Sequence, residues 1–308
     1  MKKIRTVTIG IPAYNEEQNI AGLLQSVVNQ RTKGFTVSKI IVNSDGSSDR
    51  TDAIVDDMNR IDPRISLHRD GKRKGKMRRL MELYHMNTSD IFVQLDADIV
   101  LADRYVLIKI LRPFADETVT VVSGNNQPSH AVTYIQKLMN TWYVIWYHMR
   151  RDINGGDYIQ NLHSCAMAVR RDFLPFIRLP YDFTSDGQYM YCLLKKLNRK
   201  FVFADNAIVR FKLPATLHDC VLLVNRGPDE QKRLQTMFGS GITEYSVMNL
   251  WHKAFVLGKE LLRHPIDATS AFCFSQILDH MPKDNTHKAK NGLFETLTST
   301  KNLSQGGI

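Results

Sequence analysis

Cysteine is scarce in this chain of 308 residues, which carries only Cys165, Cys192, Cys220 and Cys273. They lie far apart, with no Cys-x-x-Cys pair and no histidine at finger spacing. That argues against a disulfide framework and a structural zinc site, and fits reduced, packed thiols. Long apolar runs are missing too. FVQLDADIVL and VTVVSG are short, well below the roughly 18 to 20 residues of a membrane-spanning helix. Met1-Lys2-Lys3 is basic, but the apolar run behind it is brief and leads into IPAYNEE rather than a small-residue cleavage site. No signal peptide is read, and a cytoplasmic chain is expected. Acidic residues are outnumbered, 31 against 41 Lys+Arg, so the formal net charge is +10. The surplus suggests an anionic partner: nucleic acid, a membrane surface or a phosphorylated ligand. A hydrophobic fraction of 43% is enough for a buried core and excludes disorder throughout.

The first half alternates β-branched runs with amphipathic stretches, the pattern of strands joined by crossover helices. Strands are predicted at 4 to 11, 36 to 43, 64 to 69, 91 to 95 and 163 to 169, and in the paired runs KFVFA and AIVRF. A helix at 16 to 30 would bury Ile20, Leu23, Leu24, Val27 and Val28, with Asn15 as N-cap. Further helices are expected at 49 to 60, from Gly75, at 102 to 115, 130 to 151, 186 to 197, 214 to 238, 244 to 263 and 268 to 280. The Lys-, Asn- and Ser-rich tail from Pro282 reads as flexible.

Four segments sit at strand ends, where open α/β sheets bind ligands. GIPAYNEE, residues 10 to 17, is a strand-to-helix turn. In IIVNSDGSSDRT, residues 40 to 51, Asp45 could accept an N–H from a nucleobase or simply form a turn. RDGKRKGKMRR, residues 69 to 79, is either a solvated basic face or an anion clamp. In IFVQLDADIV, residues 91 to 100, Asp96 and Asp98 follow an apolar strand. Two anions at a strand tip repel unless a cation sits between them, and oxygen ligands suit Mg²⁺ or Mn²⁺; helix capping is the competing role.

Taken in order, the Pro-Ala-Tyr-Asn-Glu, Ser-Asp-Gly-Ser-Ser-Asp, Gly-Lys and Asp-Ala-Asp segments closely resemble the family-2 glycosyltransferases of GT-A fold. The resemblance is strong over residues 4 to 100 and looser to about 240. It implies an α/β fold with a Rossmann-like, mixed but mostly parallel sheet flanked by helices and followed by a C-terminal helical extension. It divides the chain into a catalytic domain, 1 to 240, with a nucleotide-sugar half (1 to 125) and an acceptor half (126 to 240). C-terminal helices at 241 to 282 and a flexible tail at 283 to 308 complete it. By this resemblance Pro12, Ala13, Tyr14 and Glu16 line the nucleoside, Asp45 reads the base, and Lys76 lies near base and phosphates. Asp96 and Asp98 form the Asp-x-Asp pair, whose second member usually holds Mn²⁺ or Mg²⁺ against the diphosphate.

Inverting members of this family take the acceptor proton with a carboxylate base at a helix start. YDFTSDGQ places Asp186 there, although Ser185 replaces the usual preceding acid; helix capping is the competing role and Asp182 the alternative base. The Gln-x-x-Arg-Trp motif of processive synthases is absent, and only Arg226 and Arg233 could contact phosphate in its place. The expected activity is therefore single transfer from a nucleoside diphosphate sugar, uridine favoured, to a glycan or lipid-linked acceptor. A catalytically inactive nucleotide- or partner-binding protein is the alternative. No nucleic-acid module supports a nucleic-acid partner. The aromatic helix with Tyr134, Trp142 and Trp146 reads as a core stripe, an acceptor wall or a surface lying on a bilayer. Helix 244 to 263, with Trp251 and Phe255 against Lys253, Lys259 and Arg263, could lie on the inner face of the membrane or pack on the domain.

Overall fold

The computed structural model describes residues 5–225, 230–239, 241, 247–281, 293 and 297–301. Its eight strands are β1 (Arg5–Ala13), β2 (Phe35–Ser44), β3 (Ile65–His68), β4 (Ile91–Leu95), β5 (Ile99–Leu101), β6 (Val119–Pro128), β7 (Ala166–Arg170) and β8 (Lys200–Phe211). They form one sheet in the order β3-β2-β1-β4-β7-β6-β8-β5. Four of its seven pairings are parallel (β3/β2, β2/β1, β1/β4 and β6/β8), and the rest antiparallel. Parallel neighbours need crossovers; helices α1 (Ile20–Val28), α2 (Thr51–Ile61) and α3 (Lys76–Met86) lie in those among β1 to β4, while β6 reaches β8 by way of β7.

The sheet is covered on both faces. Val7, Ile9 and Ile11 of β1 share one core with Ile20, Leu23, Leu24 and Val27 of α1. Leu80 and Leu83 of α3 share a second with Phe92 and Met167. Helices α4 (Val106–Leu111), α5 (Tyr134–Arg150) and α6 (Asp186–Lys196) come next, then α7 (Leu217–Asn225), α8 (Glu230–Phe238), α9 (Leu250–Arg263) and α10 (Pro265–His280). Thr133 and Gln136 close a capping box at the start of α5.

Several boundaries differ from the sequence reading, each for a local reason. Asn15 is not an N-cap: its φ of 51° puts it in the left-handed region, and α1 begins four residues after Glu16. Its side-chain oxygen instead accepts the Ser48 N–H at 2.8 Å, tying the end of β1 to the loop after β2. KFVFA and AIVRF do not pair with each other. Both lie in β8 and both pair with β6, the register jumping from Gly124↔Ala204 to Asn125↔Ile208. Strand β5 carries little sequence signal because Asp98 and Ala102 bracket only three residues. The aromatic helix α5 packs rather than projects, with Trp142 against Phe272 of α10 at a ring separation of 5.9 Å, although Tyr134 stays exposed.

Candidate active site

The C-terminal ends of β1, β2 and β4 lie side by side, and the segments leaving these strands face a single cleft of about 270 Å³. Pro12, Ala13, Tyr14 and Glu16 come from the first end, Asp45 from the second, Asp96 and Asp98 from the third, and Lys76 from the start of α3. All eight were expected to share one site, and the fold brings them together.

The floor of the cleft is held by Arg79, a guanidinium with no solvent exposure. Its Nε donates to Asp45 at 3.0 Å, Nη1 to Glu82 at 3.0 Å and Nη2 to Asp70 at 2.7 Å. Asp45 also accepts the backbone N–H groups of Lys74 and Gly75, at 2.6 and 2.9 Å. The turn beneath it needs glycine: Gly46 has a φ of 71°, and a Cβ there would sit 2.9 Å from the Lys72 carbonyl carbon. Burial works against the Glu82 charge, but Lys74, Asn43 and Arg79 outweigh it and hold the carboxyl down at about 2. Removing Arg79 would strip Asp45 of its buried cation and leave Lys74 as the cation shared by Asp70 and Glu82. Arg79→Met is therefore expected to lower folding stability by about 3–5 kcal/mol, read from chemical denaturation.

Above the floor, Arg73 lies over the Tyr14 ring at 4.0 Å, a cation–π wall. Lys76 spans two carboxylates, with its ammonium 2.8 Å from Asp96 and 3.8 Å from Asp186. Burial opposes its charge, yet Asp186 and Asp96 keep the ammonium well above the usual lysine range. Burial raises Asp96 to about 6, opposed by Lys76 and reinforced by Asp98 and Asp186. Burial, and then the Asp98 charge, raise Glu16 to about 7 against the pull of Lys301.

Asp98 differs from its neighbours, making no hydrogen bond or ion pair among the described residues. No cluster of three metal-ligating side chains is formed among those residues. The donor set present, one unengaged carboxylate with Asp96 beside it, fits a hard divalent cation that takes its remaining ligands from phosphate and water.

Asp186 is placed differently. It opens α6 and is 1% exposed. One carboxylate oxygen accepts Gln94 Nε2 at 2.7 Å and the other Ser164 Oγ at 2.6 Å. It sits behind Lys76 rather than in the cleft wall. Arg233 does not line the cleft either: it donates to Asp182 at 2.8 Å and lies over Phe183, so a local carboxylate takes its charge. Arg226 lies outside the described residues.

Besides Arg79, three contributors escaped the sequence reading. Gln94 is fully buried and joins Asp186 to the Tyr84 hydroxyl, 2.7 Å away; its signal is a lone amide inside the apolar run IFVQL. Glu230 accepts the backbone N–H groups of Thr184 and Ser185, bracing the loop before Asp186. Lys301 donates to Glu16 and to the Tyr14 carbonyl. The tail expected to be flexible thus has a fixed part, because 297–301 folds onto the cleft.

A family model described as Glycosyl transferase family 2 matches residues 8–176. No curated protein matches the chain in sequence. Among solved structures, a mannosyltransferase from Pyrobaculum calidifontis, in complex with GDP-Man and Mn²⁺, is 16% identical. The match covers 90% of this chain and 81% of that one, with a TM-score of 0.63. A mannosyl-3-phosphoglycerate synthase from Rubrobacter xylanophilus is 15% identical over 76% of each chain, with a TM-score of 0.54. These likenesses identify the fold as GT-A.

Proposed function

Because this chain belongs to glycosyl transferase family 2, we propose that it transfers single sugars from a nucleoside diphosphate sugar to an acceptor hydroxyl, with inversion and with Mn²⁺ or Mg²⁺ in the cleft. The observation that carries this reading is the convergence of Tyr14, Asp45, Lys76, Asp96 and Asp98 on one cleft, in which Asp98 is left unengaged among the described residues. Tyr14 and Arg73 flank the nucleoside, and Asp45, fixed by Arg79, meets the base. Lys76, steered by Asp96, places positive charge beside the diphosphate as it departs. A cation held by Asp98 would act there as a Lewis acid. Asp186, oriented by Gln94 and Ser164, takes the proton of the acceptor hydroxyl.

A thermal-shift panel of uridine and guanosine diphosphate sugars with Mn²⁺ tests the donor site. Uridine is the first expectation and guanosine the second, since the similar mannosyltransferase carries GDP-Man. A ligand at 100 times its Kd adds about 2.7 kcal/mol of stability. If no member raises the midpoint, the reading fails; binding with neither hydrolysis nor transfer would leave a nucleotide-binding protein.

The acceptor is a glycan or a lipid-linked sugar met at the cytoplasmic face of a membrane. No described helix is long and apolar enough to cross one. Helix α9 nonetheless exposes Trp251, Phe255 and Leu262 on one face, each more than 70% accessible, with Lys259 and Arg263 exposed beside them. Apolar side chains flanked by cations suit an anionic bilayer surface. W251E/F255E is expected to reduce co-sedimentation with phosphatidylglycerol vesicles by about tenfold or more, given the apolar area lost, without changing donor binding. Equal sedimentation of variant and parent would rule out this face.

A further inference from the structure

The part of the cleft with no counterpart in the strand-end segments comes from the far end of the chain. Leu297, Thr300 and Lys301 line the cleft, 285 positions from Glu16 in the case of Lys301. The segment is fastened rather than merely adjacent. Ser299 donates its N–H to Asp219 at 2.8 Å, and its hydroxyl donates to the same carboxylate while accepting the Ala215 N–H at 2.9 Å. Asp219 is 2% exposed on α7, so the anchor is internal.

The charges of the cleft give this segment a task. Glu16, Asp45, Asp96 and Asp98 all face a space that, on the reading above, must accept an anion. Lys76 is claimed by Asp96, and Arg79 by Asp45, Asp70 and Glu82. The Lys301 ammonium donates to Glu16 and to the Tyr14 carbonyl and keeps a quarter of its side chain exposed. An ammonium has three donors, so one remains for a ligand. Lys301 also neutralises the acid closest to it, removing charge that would repel phosphate.

We propose that Lys301 is a donor-binding residue, its third N–H contacting the donor's diphosphate, and that Asp219 is a positioning residue that acts through Ser299. The proposal rests on the reading of the cleft as a nucleoside diphosphate site.

The test is calorimetric titration of the full chain with UDP and GDP in the presence of Mn²⁺, with the corresponding nucleosides measured by displacement. Lys301→Met is expected to weaken the diphosphate by about tenfold to a hundredfold, the range for losing one charge-assisted hydrogen bond, and to leave the nucleoside nearly unchanged. Lys301→Arg should retain binding. Asp219→Asn should raise the donor KM with kcat preserved, and in that background Lys301→Met should cost less than it does alone. Thermal midpoints of all variants report whether folding is intact. Equal or tighter diphosphate binding by Lys301→Met, in a parent that binds, overturns the proposal and leaves the cleft reading standing. A parent that binds neither diphosphate overturns both.

Discussion

Asp98→Ala is expected to reduce kcat/KM by roughly 100- to 1,000-fold or more, the scale on which loss of one electrostatic partner of a departing charge is felt. The fold should be almost untouched. Asp98 makes no hydrogen bond or ion pair among the described residues, and it lies close enough to Glu16 and Asp96 to raise both carboxyls. Its removal relieves repulsion, so the midpoint without ligand should hold or rise slightly, within about 0.5 kcal/mol of the parent. What should vanish is the further rise in midpoint that a nucleoside diphosphate gives when Mn²⁺ is added. The combination separates a ligand from a structural acid, since loss of a structural acid would lower the ligand-free midpoint first. A variant that kept its metal-dependent stabilisation would remove Asp98 from the metal site.

Asp186→Asn is expected to lower kcat by about 100- to 10,000-fold, the range for a general base, while donor KM moves little. The isosteric amide keeps one oxygen to accept from Gln94 or Ser164, so the geometry at the start of α6 is largely retained. The base has to meet a hydroxyl from a carboxylate that is almost fully buried, so acceptor binding must draw it away from Ser164 or enter beside that residue. Ser164→Ala should therefore change kcat without a comparable loss of donor affinity. If Asp186→Asn lowers the midpoint but transfers sugar normally, Asp186 is a helix-start anchor. Asp182, exposed and paired with Arg233, then becomes the residue to replace.

The strand-end segments were legible because each is local: a β-branched run announces the strand, and polar residues straight after it announce the site. β1, β2, β3 and β4 therefore fell close to their predicted bounds, and the eight cleft residues were named through the family resemblance that the ordered segments carry. What was illegible depends on contacts distant in sequence. Nothing in residues 297–301 marks Ser299 as a partner of Asp219, since serine is common in exposed tails. Glu230 reads as one charge among several in DEQKR until α8 is docked against the loop before Asp186. Arg79 belonged to a basic run in which Arg69, Lys72, Arg73 and Arg78 are exposed, and only the packing of α3 on β2 singles it out as a buried hub. Asn15 misled because a helix cap and a left-handed bridge to Ser48 use the same side chain.

The floor built on Arg79 also bears on how this cleft could change over generations. The carboxylate nearest the expected base, Asp45, is held by the same guanidinium that restrains Asp70 and Glu82. A substitution that altered base preference by changing Asp45 would strip a buried cation of a partner, and the chain would tend to unfold before it acquired a new substrate. The walls carry no such burden: Tyr14 and Leu297 can vary in size without disturbing the hub. Donor preference in descendants of this chain should therefore drift through the side walls and the C-terminal segment while the floor stays frozen.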